Sequence, residues 1–304
     1  MIGTLVLTDL LGGNTLPVAA DCPPIVESEK AWGNDYPKLA SSTNLGGANF
    51  ADKASLALDS RHRLHATYDV NYFRHRFENR REHGFAKDPY VAPTSLIESS
   101  NVVIGLNDIP YVVYMATTLG SEVLFAATLA ENPAIWGGST IQIPDPPHLP
   151  PDQERSASAF AATSPDGRIH VVWAHTDRYG SSFIANIFYA RLLQGPVPTV
   201  ELTEIVYSKV VPGFFTIAAA GVKVDPVTGV VHVIWAEQFP PNLLYSQRTG
   251  GGWSSSEIVT ALPFPNYAAN VRVVPADIAL LSTGAPACAA GDISLLTTYY
   301  LERG

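Results

Sequence analysis

Apolar residues in this chain fall in short runs broken by Gly, Pro, Asp and Ser. Four stretches share one pattern of apolar and polar positions: SLALDSRHRLHATYD (Ser55–Asp69), VVIGLNDIPYVVYM (Val102–Met115), SAFAATSPDGRIHVVWA (Ser158–Ala174) and IAAAGVKVDPVTGVVHVIWA (Ile217–Ala236). Each reads as a strand of small apolar residues, a polar turn, and a second apolar strand ending in an aromatic. The terminal aromatics are Tyr68, Tyr114, Trp173 and Trp235, spaced by 46, 59 and 62 residues. The turns carry their own chemistry. Ser164-Pro165-Asp166-Gly167 puts Pro where φ near −65° is wanted and Gly where φ is positive, and Asp225-Pro226-Val227-Thr228-Gly229 repeats this with one residue more.

A variable loop follows each second strand, and a third strand comes next. These third strands are predicted at Glu122–Leu129, Asn186–Leu193 and Asn242–Thr249. More polar fourth stretches open at Trp136 and Trp253. Small residues first, bulky ones next and polar ones last is the gradient of a propeller blade, crowded at its axis and wet at its rim. Val271–Val274, Ala276–Ser282 and Asp292–Arg303 read as the first three strands of a further unit. Its outer strand would come from the N-terminus, either Ile2–Leu11 or the stretch after Trp32, closing the ring and hiding its edges. The expected fold is therefore all-β: a β-propeller of about five four-stranded blades. It forms one domain over 1–304, with an N-terminal arm and closing strand in 1–48 and the blades in 49–304. A β-sandwich is the rival architecture. No long segment holds a 3.6-residue apolar period, so little helix is expected, and Glu78–His83 reads as a loop or single turn.

Composition narrows the function classes. A formal net charge of −9 argues against non-specific nucleic-acid binding. No apolar run is long enough to span a bilayer. Val18-Ala19-Ala20 fits a signal-peptide cleavage site, but a basic leader is missing and Asp9 interrupts the apolar stretch. Pro144–Pro151 (PDPPHLPP) reads as a stiff connector between blades, and rigid loops fit an extracellular, cell-surface or particle-associated protein. Cys22 and Cys288 form no C-x-x-C pair, so a structural zinc site is not expected and no cofactor is implied. A propeller brings its chain ends together. A Cys22–Cys288 disulfide, worth about 4–5 kcal/mol by loop closure, and two unpaired thiols both remain open.

The runs SPDGRIHVVWA with NIFYARLL, and VTGVVHVIWAEQ with LLYSQRTGGGWSSSEIV, resemble the blades of sialidase-like propellers over roughly residues 50–260. The resemblance implies a fold that hosts many functions. The chain has no Phe/Tyr-Arg-Ile-Pro motif, and Tyr72-Phe73-Arg74-His75 only begins like one. Ser164-Pro165-Asp166-Gly167 has its glycine one place early for the family's Asp-box.

Positions just past the terminal aromatics are Asp69, Met115, His175 with Asp177, and Glu237. From different blades these would gather at one rim, where two carboxylates at a suitable separation can run glycoside hydrolysis. Asp35, in Gly33-Asn34-Asp35-Tyr36-Pro37, is a further candidate acid or base, because five-bladed glycosidases carry an Asp near the start of their first blade. The bland alternative is a set of ordinary polar residues at strand ends. His175, Asp177, Glu237, Trp136 and Trp253 are the candidate ligand contacts. His65, His170 and His232 recur at one repeat position and read as turn braces rather than metal ligands. Residues 61–87 hold seven of the 19 Lys+Arg and four of the eight His. Within them Arg74–Lys87 departs from the repeat, and Arg74, Arg76, Arg80 and Arg81 are candidate contacts for an anionic partner. Three readings follow: a non-catalytic module binding a glycan or protein partner, a glycoside hydrolase, or a structural component of a surface or viral assembly, with an oligomer or larger assembly compatible with each.

Overall fold

The structure is a computed structural model. It describes residues 54–61, 64–69, 73–79, 84–85, 97–118, 121–128, 140–148, 153–212, 217–238, 241–261, 273–280, 286–292 and 297–302. Ile2–Leu11, Cys22, Trp32, Asp35, Arg80, Arg81 and Trp136 lie outside them, so the expected closing strand and disulfide do too.

The described residues build five antiparallel sheets, each from consecutive chain. The first holds β1 (Ala54–Leu58), β2 (Leu64–Asp69), β3 (Phe73–Asn79) and β4 (Gly84–Phe85). The second holds β5 (Ile97–Ile104), β6 (Pro110–Thr118), β7 (Ser121–Thr128) and β8 (Thr140–Gln142). The third and longest holds β9 (Gln153–Thr163), β10 (Arg168–Tyr179), β11 (Ser182–Leu193) and β12 (Thr199–Pro212). The fourth holds β13 (Ile217–Val224), β14 (Val231–Gln238), β15 (Pro241–Thr249), β16 (Gly252–Trp253) and β17 (Glu257–Ala261). The fifth holds β18 (Val273–Leu280), β19 (Pro286–Asp292) and β20 (Thr297–Glu302). The one helical piece among the described residues is a 3-10 turn at Leu106–Asp108.

The first strands of successive sheets, β1, β5, β9, β13 and β18, lie beside one another in chain order. This is a propeller-type arrangement. A single side chain fastens three of them: Asn101 on β5 donates to the Ser55 hydroxyl of β1 (3.1 Å) and accepts from the backbone N–H of Ala161 on β9 (2.9 Å). An amide that both donates and accepts suits a place where backbones approach too closely for bulky side chains.

Two segments depart from the sequence reading. Phe73–Asn79 is a regular third strand paired to β2, so Arg74 and Arg76 continue the repeat rather than break it. The strict alternation Phe73, His75, Phe77 against Arg74, Arg76, Glu78 is a strand signal, outweighed in the sequence reading by the density of charge. In the fifth sheet, Val273–Leu280 is one continuous first strand. Pro275 does not end it, because the ladder shifts register between Pro275 and Asp277. Proline is tolerated at such a bulge. The second strand is then Pro286–Asp292, a place later than the sequence implies.

Sheet-to-sheet packing runs through the second strands. Alternation on β10 sends Ile169, Val171 and Trp173 to one face, where they meet Val103, Tyr111, Val113 and Met115 of the second sheet. Val172 and Ala174 go to the other face, to meet Val222, Val233 and Trp235 of the fourth sheet. Trp173 and Trp235 are both fully buried and both face the preceding sheet. Tyr114 lies on the side of β6 opposite Val113 and Met115, which places it toward the preceding sheet as well. These three aromatics thus hold equivalent places. The side chain of Tyr68 lies outside the described set.

The turns between first and second strands are braced by local bonds. Gly167 has φ +81° and its N–H returns to the Ser164 carbonyl (3.0 Å). His170 Nε2–H donates to Ser164 Oγ (3.0 Å), and Tyr189 O–H donates to His170 Nδ1 (2.7 Å). The same pairing recurs one sheet on, where His232 Nδ1–H donates to Tyr245 OH (2.6 Å). In the first sheet His65 Nε2 lies 3.4 Å from Asp59 Oδ2. Neighbouring turns are joined as well: the Asp108 carboxylate accepts from both the backbone N–H and the hydroxyl of Ser60 (2.7 Å each), which holds its pKa below the usual range.

Trp173→Ala or Trp235→Ala is expected to cost about 3–5 kcal/mol, because each vacates a fully closed interface. Urea unfolding monitored by circular dichroism measures this. A loss under about 1 kcal/mol would show that these rings do not hold the sheets together.

Candidate functional site

The polar positions beyond the terminal aromatics are strand residues, because β10 runs on to Tyr179 and β14 to Gln238. Their side chains follow the alternation of the aromatics and enter the spaces between sheets. His175, Asp177 and Glu237 are each 1% exposed. Asp69 closes β2, and its side chain, like those of Arg74 and Arg76, lies outside the described set.

Between the second and third sheets, a polar cluster continues the Trp173 face. His175 Nε2–H donates to Asp177 Oδ1 (2.8 Å), and the Asn186 amide on β11 donates to Asp177 Oδ2 (2.9 Å). The ring of His175 stacks on Phe188 with centroids 4.7 Å apart. Over this pair lies the connector that leaves β8. Its His148 donates from Nδ1 to the Pro146 carbonyl (2.7 Å), which turns Nε2 toward Asp177 Oδ1 at 3.6 Å. Asp145 of the same connector accepts from Trp173 Nε1 (3.3 Å) and lies 3.9 Å from His175 Nδ1. The prolines fix φ through this segment, so His148 and Asp145 arrive with little backbone freedom left to lose. Two imidazoles and one carboxylate, with ligand atoms all within 4.8 Å of one another, form a donor set able to take a metal ion.

Glu237 belongs to a different interface. It accepts from the Tyr207 hydroxyl of β12, and from Lys209 Nζ at 3.1 and 3.3 Å. Burial, and then the hydrogen bond to Glu237 and its charge, push the Tyr207 phenol well above its ordinary range. Asp177 therefore faces the second sheet and Glu237 faces the third, with the third sheet standing between the two carboxylates.

Trp253 is half-buried. Its N–H donates to Glu204 Oε2 (2.8 Å), the same carboxylate that Arg248 grips with two bonds of 2.7 and 2.9 Å. Its ring meets Tyr189 edge-on at 5.0 Å. Trp253 thus ties the fourth sheet to the outer strand of the third. Cys288 lies within β19.

Sequence reasoning missed His148, Asp145 and Asn186. The available signal was a His and an Asp inside a proline run, side chains that a spacer does not need, next to His175-x-Asp177 with its i, i+2 placement on one strand face.

No family model matches the chain, and no curated protein matches it. Among solved structures it is similar to a GH43 endo-arabinanase from Bacillus licheniformis, at 14% identity over 84% of this chain and 94% of that one, with a TM-score of 0.43. It is also similar to an endo-arabinase from Bacteroides thetaiotaomicron VPI-5482, at 7% identity, 86% and 96% coverage and a TM-score of 0.45. A GH62 hydrolase solved with xylotriose matches at 11% identity, 86% and 92% coverage and a TM-score of 0.39. Likenesses this distant carry no weight for chemistry.

Two measurements check the local account. Lys209→Met leaves the buried Glu237 carboxylate without its cation and is expected to destabilise by about 2 kcal/mol, less than a fully buried pair because Lys209 is partly exposed. Pairing it with Glu237→Gln should recover about half of that, measured as a double-mutant cycle; strict additivity would show the pair to be uncoupled. Burial holds the His170 imidazole down at about 4, against an ordinary 6.5. The unfolded chain binds this proton first, so its contribution is whole above about pH 6.5 and is lost as pH falls toward 4, with a slope up to about 1.4 kcal/mol per pH unit. His170→Gln should flatten the stability profile in that window, and an unchanged slope would contradict the assignment.

Proposed function

We propose that the chain is a non-catalytic recognition module built on a single β-propeller of five blades, with its ring closed by a strand from the N-terminal arm. Its partner is a glycan or a protein at an extracellular or particle surface. One observation carries the reading: the two described candidate carboxylates are buried, partnered, and on opposite faces of one sheet. Glycoside hydrolysis needs two carboxyl groups about 5–10 Å apart flanking one bond in a cavity open to substrate. Asp177 is occupied by His175 and Asn186, and Glu237 by Tyr207 and Lys209. The proposed contact is the basic run Arg74, Arg76, Arg80 and Arg81, whose charge stands out on an acidic chain and suits an anionic glycan or an acidic protein surface.

A second reading, a structural component of an assembly, has its own support. The outer strand β12 carries Ile205 and Val210 at 39% and 67% exposure, and Ile258 on β17 is 60% exposed. Apolar side chains on an unpaired outer edge are what a neighbouring copy would cover.

The purified chain should bind on a glycan array without hydrolysing a panel of aryl glycosides and oligosaccharides, and Arg76→Ala with Arg80→Ala and Arg81→Ala should weaken that binding about tenfold or more. Turnover abolished by Asp177→Asn or Glu237→Gln would replace this reading with the hydrolase. Binding to nothing on the array, together with a higher oligomer by light scattering that Val210→Asp dissolves, would replace it with the assembly component.

A further inference from the structure

We propose that His148, His175 and Asp177 form a binding site for one divalent transition-metal ion of the Zn2+ type, which clamps the connector leaving the second sheet onto the third. This goes beyond the recognition reading and stands independently of it.

The inference rests on geometry at the donor atoms and one shell behind them. His148 Nε2 and His175 Nε2 lie 3.6 and 2.8 Å from Asp177 Oδ1. Zn–N and Zn–O bonds near 2.0–2.1 Å put the donor atoms of a tetrahedral site about 3.3 Å apart. One spacing already fits, and the other opens by about half an ångström when the ion replaces the proton shared by His175 and Asp177. Each ligand also has an orienting partner. His148 Nδ1–H is held by the Pro146 carbonyl. Asp177 Oδ2 is held by the Asn186 amide, leaving Oδ1 toward the two imidazoles. His175 Nδ1 faces Asp145 Oδ2 at 3.9 Å, so once Nε2 turns to the metal the ring carries its proton toward a carboxylate. Asp145 is in turn held by the Trp173 indole N–H. An imidazole backed by a carboxylate or a backbone carbonyl is the usual support of a metal-ligating histidine.

Donor softness selects the ion. Two imidazole nitrogens and one carboxylate suit Zn2+, Co2+, Ni2+ or Cu2+, whereas Ca2+ and Mg2+ demand all-oxygen shells. Three protein ligands leave one position for water. The His148 side chain is 19% exposed, so the ion has a way in past the connector. The consequence is mechanical. His148 belongs to the segment after β8, while His175 and Asp177 belong to β10, and joining them pins the connector to the second strand of the third sheet.

The test uses the full chain, stripped with chelator and titrated with Zn2+ by calorimetry and with Co2+ by visible absorption. One equivalent of Zn2+ should bind, and Co2+ should give the intense visible bands of a four- or five-coordinate site. The melting temperature should rise by about 5 °C at a hundredfold excess over Kd. His148→Ala, which removes a half-buried connector side chain, should leave the metal-free melting temperature within about 2 °C of wild type and weaken Zn2+ about 100-fold or more. Asp145→Asn, one shell out, should weaken it about tenfold. Absence of one-equivalent Zn2+ binding by the wild-type chain would overturn the proposal whatever the variants do. Binding that His148→Ala and Asp145→Asn leave untouched would also overturn it, by placing the ion on other histidines. Tighter binding of Ca2+ than of Zn2+ would exclude the donor set.

Discussion

Everything in this chain depends on how one sheet meets the next. The bond between sheets is clearest at the bulky aromatics of the second strands β10 and β14, each turned back onto the preceding sheet. Trp173 fills the space between the second and third sheets, and Trp235 that between the third and fourth. Each is completely closed from solvent. An antiparallel sheet alternates its side chains strictly, so fixing one residue of a strand against a neighbour fixes the facing of every other residue on that strand. The choice of face for Trp173 is therefore also the choice for His175 and Asp177, and that for Trp235 is also the choice for Glu237.

This coupling explains what became of the polar residues beyond the aromatics. Alternation carried them into inter-sheet space, where a bare carboxylate is costly, and each was met by donors. Glu237 found a lysine and a phenol on the outer strand of the neighbouring sheet. Asp177 found an amide on its own sheet and a histidine two residues back. Groups satisfied in this way orient and fasten. The third sheet stands between these two carboxylates, each held by its own partners. The two interfaces differ in kind, however. The one under Glu237 is closed by an ion pair, whereas the one under Asp177 gathers two imidazoles, His148 with Nδ1–H on a backbone carbonyl and His175 with Nδ1 facing Asp145 at 3.9 Å, and on this arrangement the proposed cation site rests.

The histidines divide along the same line. His170 and His232 sit beside tyrosines near the turns at the other end of their strands, and His170 holds its turn serine as well. Burial is the largest cause of the depressed His170 pKa. His175 is equally buried but has a carboxylate on either side of its ring. Position along the strand, more than residue type, separates a brace from a ligand.

By itself the sequence determined the strands, the turns and the repeat. Period-two alternation, Ser-Pro-Asp-Gly and Asp-Pro-Val-Thr-Gly act over a few residues, and the small-to-bulky gradient from first to third strand told which end is crowded. Where local signals competed, the reading slipped: charge masked the alternation of Phe73–Asn79, and Pro275 passed for a strand end although a bulge absorbs it. Only the tertiary structure decided which polar groups meet. Glu237 and Tyr207 are 30 residues apart, and Trp173 and Asp145 are 28 apart. Their contact depends on the facing of whole sheets and the path of a proline-stiffened connector, and no short-range rule carries that information. The same limit hid His148, whose role exists only because the second and third sheets bring it over Asp177.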